Sequence, residues 1–122
     1  MEIKHTRFEG MNEENSGYYD FFALEDGEIV GTGSLKDIEA KIYYFGLKVI
    51  ILTGLNVAES HRMKRIGTAL QEAREKFAKD LGFEYVILWT DKNMWMKEWY
   101  ERRGYKEFDG RKDKNYWMYK KL

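Results

Sequence analysis

A strand, a helix and a second strand follow one another in the middle of this sequence, and they constrain the fold more than any other feature. Lys48-Val49-Ile50-Ile51-Leu52-Thr53, continuing through Gly54 to Leu55-Asn56-Val57, has the unbroken β-branched and apolar character of a strand buried on both faces. From Ile66 the period changes. Ile66, Ala69, Leu70, Ala73, Phe77 and Leu81 recur at helical spacing, charged residues fill the other face, and Gly82 supplies a left-handed stop, which predicts a helix over residues 65–81. Glu84-Tyr85-Val86-Ile87-Leu88-Trp89 then returns to a short buried strand, so the unit reads as a right-handed parallel crossover. A helical bundle is excluded, and the class is α+β (α/β-like).

The flanking segments read as further strands and one more helix. Tyr18 to Leu24 and Glu28 to Leu35 are β-rich runs around Glu25-Asp26-Gly27, a short-range hairpin signal. Gly54 inside the central strand suggests a bulge or a close backbone approach. Asn93 is placed to cap a second helix carrying Met96, Trp99, Tyr100 and Arg103, which Gly104 ends at C′. Tyr105 to Phe108 and Tyr116 to Tyr119 form a closing hairpin around Asp109-Gly110. At 122 residues the chain has room for one domain, residues 1–122, with a real core.

Composition removes several functions. Lysine plus arginine, 21, equals aspartate plus glutamate, 21, so no global field draws the protein to nucleic acid or an anionic membrane, and any anion must be held locally. The Gly110-Arg111-Lys112-Asp113-Lys114-Asn115 tract reads as a solvated hairpin tip. With no cysteine there is no disulfide, thiolate metal site or cysteine nucleophile, and no metal is expected. The amino terminus lacks the apolar stretch of a signal peptide, and no apolar run approaches the ~20 residues of a membrane span. A cytoplasmic protein with neither membrane nor nucleic-acid partner is the expectation.

The local anion site falls where the central strand ends. The chain leaves Val57, runs through Ala58-Glu59-Ser60-His61 and enters the helix near Gly67, gathering unpaired backbone N–H groups at the positive end of a helix dipole. Gly67 lets backbone approach closely, and Arg62, Lys64 and Arg65 add charge, which suits a diphosphate. Taken alone, this is also the composition of an ordinary basic connection.

Here the sequence resembles the GNAT superfamily of N-acetyltransferases. After a strand ending in valine, the superfamily carries Q/R-x-x-G-x-G/A, and Arg62-Met63-Lys64-Arg65-Ile66-Gly67, followed by Thr68 and Ala-Leu, keeps the first and last elements. Asn93, Tyr100, Gly104 and Tyr105, with Glu101 after the tyrosine, match the superfamily's asparagine, tyrosine and Gly-Phe segment, and the resemblance runs over residues 18–122. Arg65 stands where the superfamily has its first glycine. With helical dihedrals its side chain would point outward, and it either pairs with a phosphate of the cofactor or lowers cofactor affinity. The resemblance implies a mixed, mostly antiparallel twisted sheet with a splayed central strand pair and flanking helices. It implies acetyl-CoA as cosubstrate, held by the backbone around Leu55, Asn56 and Val57 and by the amides of Met63, Lys64, Arg65, Ile66, Gly67 and Thr68.

By the same resemblance, Tyr100 donates the proton that the departing thiolate takes, and Asn93 either caps its helix alone or also contacts the pantetheine region. The base is open: the central strand offers Thr53 and Asn56 but no carboxylate, and Glu59, His61 and Asp91 are sequence neighbours beside a water-mediated route. Trp89, Trp95, Trp99 and Trp117 would line an acceptor pocket or fill the core. The seventeen residues before Tyr18 have room for one strand and a loop instead of the superfamily's strand and two helices. An open acceptor side, or one completed in a homodimer, follows. The function expected is N-acetyl transfer to a primary amine of a small molecule, peptide or protein. The alternative is a catalytically reduced module that senses CoA or binds protein.

Overall fold

In a computed structural model, the structure describes residues 1–9, 17–37, 48–91, 96–108 and 115–122. Strands β1 (Glu2–Glu9), β2 (Gly17–Glu25), β3 (Glu28–Asp37), β4 (Val49–Val57), β5 (Tyr85–Asp91), β6 (Lys106–Phe108) and β7 (Asn115–Lys121) join helices α1 (Ile66–Asp80) and α2 (Met96–Glu101). The strands make one sheet in the order β1-β2-β3-β4-β5-β7-β6. Every neighbouring pair is antiparallel except β4 and β5, which α1 connects in parallel as the sequence predicts.

Local chemistry explains the element ends. Asp26 and Gly27 both take positive φ, 49° and 80°, the backbone of a two-residue hairpin turn whose twist suits the flanking strands. Both helices leave through a glycine at C′. Gly82 N–H donates to the Lys79 carbonyl and Phe83 N–H to that of Ala78, while Gly104 N–H donates to Glu101 and Tyr105 N–H to Tyr100, so each exit is a Schellman motif. Arg103 is therefore the C-cap residue, beyond α2 proper. The closing hairpin is present as the β6–β7 pair, and its tip lies outside the described residues.

Helix α1 lies on one face of the sheet and buries Ile66, Leu70, Gln71, Arg74 and Ala78. It approaches β3 closely: a Cβ on Gly31 would stand 3.0 Å from Leu70 Cδ1 and 3.1 Å from Ile66 Cγ2, so a larger residue there would make those side chains shift by a few tenths of an ångström. Beneath it Tyr19, Phe21, Leu35, Ile50, Leu52, Val86, Leu88 and Met118 form the core. Phe77 extends this core to the β1 edge, with its ring centroid 4.6 Å from that of His5 and 4.9 Å from that of Tyr19. Strand β1 pairs with β2 from Glu2↔Leu24 to Glu9↔Gly17, which bears out a strand ahead of the hairpin; the loop expected after it lies outside the described residues.

Two irregularities shape the middle of the sheet. Gly33 pairs with Leu55 but Ser34 pairs with Thr53, so Gly54, at φ +50°, is an extra residue on β4, and the predicted bulge is present. The β4–β5 pairing consists of Val49↔Tyr85, Ile50↔Val86 and Ile51↔Ile87, although β4 continues to Val57 and β5 to Asp91. Beyond Ile51 the strands part, β4 staying with β3 and β5 with β7. No described helix is long and apolar enough to cross a membrane.

Candidate active site

The parting of β4 and β5 exposes a particular set of backbone groups. Ala58 N–H donates to the Val30 carbonyl at 2.8 Å, and residues 31 and 33 oppose Val57 and Leu55. Bonded and non-bonded pairs alternate along an antiparallel ladder, so Asn56 bonds toward β3, while Leu55 and Val57 turn their N–H and C=O groups toward the missing neighbour. Arg62 Nε donates to the Val57 carbonyl at 3.2 Å. The Val57 amide and both backbone groups of Leu55 then face the gap, where an extended ligand would add as a strand. Asn56 offers its exposed side chain instead of its backbone.

Beside the gap, α1 begins. Arg65 is its N-cap and makes no side-chain capping bond; the first backbone bond runs from Ala69 N–H to the Arg65 carbonyl at 3.0 Å. The amides of Ile66, Gly67 and Thr68 thus have no partner within the helix. The first turn holds no acidic residue to complement the dipole, and Arg62, Lys64 and Arg65 are exposed around it. A Cβ on Gly67 would meet Trp99 Cζ2 and Val57 Cγ2 at 3.8 Å and Leu55 Cδ2 at 4.0 Å, so Gly67 lies between the helix start and the edge of the gap.

Arg65 itself differs from the outward-pointing helical residue that the sequence allows. Its φ and ψ are 62° and 19°, left-handed, and Met63 also has a positive φ, 67°. A left-handed residue beside the right-handed Ile66 forms a concave run of amides of the kind that takes anions, and the superfamily's glycine would adopt it without strain. Arg65→Gly is expected to raise the unfolding free energy by about 0.5–1 kcal/mol, read as a higher urea midpoint. A lower midpoint would show that the arginine side chain holds the loop.

Tyr100, on α2, is 6% exposed and packs edge-on to Trp99 at 5.0 Å and Tyr105 at 5.2 Å. Burial raises its hydroxyl pKa above the usual value of 10.0, and the Arg74 guanidinium opposes this through charge and hydrogen bonding. Around it runs a polar network that sequence reasoning missed. Arg74 Nη1 donates to the carbonyls of Ser34, Thr53 and Gly54 at 3.0, 3.1 and 3.2 Å, and Nη2 donates to Gln71 Oε1. Gln71 Nε2 donates to Tyr105 Oη at 2.6 Å and to Glu75 Oε2 at 3.1 Å, the Tyr105 hydroxyl donates to Glu75 Oε2 at 3.2 Å, and Lys120 Nζ reaches Glu75 Oε1 at 2.6 Å. Burial, and then the Glu75 carboxylate, push the Tyr105 hydroxyl far up, so that phenol is a fixed structural donor. The available signal was Arg74 itself, an arginine four residues from Leu70 on the apolar stripe.

The other candidates separate. Arg103 anchors α2 on α1: Nη2 donates to Thr68 Oγ1 at 2.8 Å, Nη1 donates to the Trp99 carbonyl at 2.8 Å, and its guanidinium carbon lies 3.5 Å from the Trp99 ring centroid. Burial, followed by the charges of Arg102 and Arg65, lowers its pKa, and its bond to Thr68 sets the guanidinium beside the first turn of α1, whereas the sequence placed Arg103 only as a residue of the second helix. His61 is tied up in the connection, with Nδ1 2.8 Å from Ser60 Oγ and Nε2 3.2 Å from Glu25 Oε2 on the hairpin turn. Glu59 begins the 3₁₀ turn Glu59–His61 of this connection and is exposed. The Trp89 ring lies tilted against that of Trp117 at 5.1 Å. Asn93 and Trp95 lie outside the described residues, and Asp91 is placed only as the end of β5. Among the described residues, no group of three His, Asp or Glu side chains is placed to hold a metal.

Comparison with known proteins gives a consistent answer. Residues 2–105 match the acetyltransferase (GNAT) family. Among curated proteins none matches the chain in sequence. Among solved structures, the PaiA N-acetyltransferase of Thermoplasma acidophilum, in complex with coenzyme A, superposes with a TM-score of 0.73 at 23% identity over 86% of this chain and 61% of its own. The present chain therefore spans about three-fifths of that protein. An acetyltransferase from Bacillus cereus gives 0.71 at 19% identity, covering 89% of this chain and 76% of its own. An IAA acetyltransferase from the same organism gives 0.73 at 14% identity, covering 99% and 100%. At these identities the structural likeness concerns the fold.

Proposed function

This chain belongs to the acetyltransferase (GNAT) family, and on that premise we propose that it transfers an acetyl group from acetyl-CoA to a primary amine in the gap between β4 and β5. The observation that carries this reading is the β4–β5 pairing, which stops at Ile51↔Ile87 beside a helix start with open amides. The gap-facing groups of Leu55 and Val57 suit the amides of a pantetheine arm. The amides of Ile66, Gly67 and Thr68, with Arg62, Lys64, Arg65 and Arg103 around them, suit its diphosphate.

Acetyl-CoA supplies the activated thioester; the chain's part is to orient it and to manage protons. The neutral amine attacks the thioester carbon, its nitrogen gives up a proton to water as the amide forms, the carbon–sulfur bond breaks, and the thiolate takes the proton of Tyr100, which solvent restores. The attacking ammonium has already lost its proton to water, since β4 carries no carboxylate and His61 is engaged with Glu25. Arg74 supports the assignment of Tyr100. The guanidinium that binds the carbonyls of Thr53 and Gly54 at the base of the gap is held by Gln71, Gln71 by Tyr105, and the Tyr105 ring packs on that of Tyr100 at 5.2 Å.

The acceptor side follows from strand alternation. Val86 and Leu88 are buried in the core under α1, so Trp89 stands on the opposite face, just past the parting point. It opposes Trp117, which opposes Phe108, and Trp89 and Phe108 are 45% and 53% exposed. This row suits an amine with an aromatic or aliphatic body. Turnover of acetyl-CoA with tryptamine, phenylethylamine, spermidine and lysine peptides tests the reading: acetylation of the first two is expected to exceed that of spermidine at least about tenfold in kcat/KM. If no amine is acetylated although acetyl-CoA binds, the second reading, a CoA-binding module, takes its place. Arg65 in a glycine's conformation and the carboxylate-free β4 favour that alternative.

A further inference from the structure

Arg74 lies four residues after Leu70 and four before Ala78, in the buried row of α1. Its exposure is 0%, and burial pulls its pKa down from the arginine value. A buried guanidinium is an expensive way to fill a core position unless it answers a specific polar need. The need is the bulge. Inserting Gly54 breaks the β3–β4 ladder between Gly33↔Leu55 and Ser34↔Thr53, and the carbonyls of Ser34, Thr53 and Gly54 turn to Arg74 Nη1. Strand β3 makes room for it: a Cβ on Gly33 would stand 3.3 Å from Arg74 Cζ, Nε and Nη1. The other terminal nitrogen, Nη2, is held by Gln71, which is itself fixed by Tyr105, while Nε is buried without a hydrogen-bond partner among the described residues.

Two parts of the site therefore meet at one side chain. The bulge is the point from which Leu55 and Val57 run along the gap, so the direction of their free amides depends on where Thr53 and Gly54 are held. Tyr100 comes from α2, on a separate connection; its ring packs edge-on at 5.2 Å against that of Tyr105, whose hydroxyl accepts from the Gln71 amide that holds Arg74 Nη2, and the charge of the guanidinium acts on its hydroxyl.

We propose that Arg74 is a positioning residue for acetyl transfer, one guanidinium fixing both the β4 bulge that aims the cosubstrate-binding amides and the hydroxyl of Tyr100. This inference rests on the reading of Tyr100 as proton donor, and a mutant cycle separates the two. Arg74→Met is expected to lower kcat about 30-fold and to weaken acetyl-CoA binding about 5-fold, as expected for small misplacements of reacting groups. In a Tyr100→Phe background the same substitution lowers kcat no more than about 3-fold, because the group it positions is gone, while the binding loss remains. Gly33→Ala keeps the charge but presses a methyl group against the guanidinium, and about 5-fold of kcat is expected to go, again only when Tyr100 is present. If Arg74→Met does not fold, the Gly33→Ala cycle decides. Equal losses in both backgrounds would overturn the inference and leave Tyr100 as donor, as would an Arg74→Met variant with unchanged kcat. A Tyr100→Phe variant as fast as the parent would remove the donor assignment and the coupling together.

Discussion

Gly67→Glu is expected to abolish measurable acetyl-CoA binding while the protein keeps its fold. Position 67 is the second residue of α1, and the nearest atoms to an added Cβ, on Trp99, Val57 and Leu55, lie at 3.8–4.0 Å, ordinary van der Waals contact. The fold itself does not require glycine there. A glutamate also improves helix propensity, complements the dipole and gains the company of Arg62, Lys64 and Arg65, so stability is expected to hold or to rise by about 0.5–1 kcal/mol. Binding moves the other way. The new carboxylate competes for the amides a diphosphate would use, repels its charge and occupies the space between α1 and the edge of the gap, and a Kd at least about 100-fold higher is expected. Gly67→Ala should fall between, with a stability gain and a several-fold loss of affinity. Opposite signs in a thermal melt and a calorimetric titration are what a ligand-dictated glycine produces; affinity unchanged in the glutamate variant would remove α1's start from the site.

Tyr100→Phe is expected to lower kcat about 100-fold with KM for acetyl-CoA within about threefold of the parent, because the hydroxyl would act on the departing thiolate and not on the bound thioester. The ring contacts to Trp99 and Tyr105 survive the change. The pH dependence has a definite sign. A proton donor works while protonated, and burial raises the Tyr100 pKa above 10.0, with Arg74 only partly opposing, so kcat should hold through neutral pH and fall only as pH passes that raised value. The phenylalanine variant lacks this alkaline limb. A parent enzyme whose kcat falls between pH 7 and 9 through a group that Tyr100→Phe leaves in place would assign the limiting proton to another residue.

Much of the fold was legible in the sequence because its signals are local. The Asp26-Gly27 turn, the helical period from Ile66 and the glycines at 82 and 104 each determine their own few residues, and β2, β3, β4, α1 and β5 stand within a residue or two of their expected bounds. The bulge at Gly54 was also legible, but its cause was not. Arg74 lies 20 residues from Gly54 in the chain, and only packing α1 on β3 brings its guanidinium to the three carbonyls. Periodicity assigns position 74 to the helix; it does not reveal that a charged group is buried there. Arg65 shows the converse: its departure from glycine was visible, whereas its left-handed backbone is set by how the connection from Val57 enters the helix. Which strand amides face the gap required the β3–β4 register, since a shift of one residue would exchange Asn56 for Leu55 and Val57. The role of Asn93 lies outside the described residues.

The central claim is that the parted strands and the start of α1 together make a site for acetyl-CoA. Calorimetric titration of the unmodified protein with acetyl-CoA tests it most directly. Saturable binding at one molecule per chain, with a Kd in the range of about 1–100 μM and weakening with added salt as a diphosphate held by arginine and lysine should, is the expected result. No binding heat and no thermal shift at about 1 mM acetyl-CoA would contradict it.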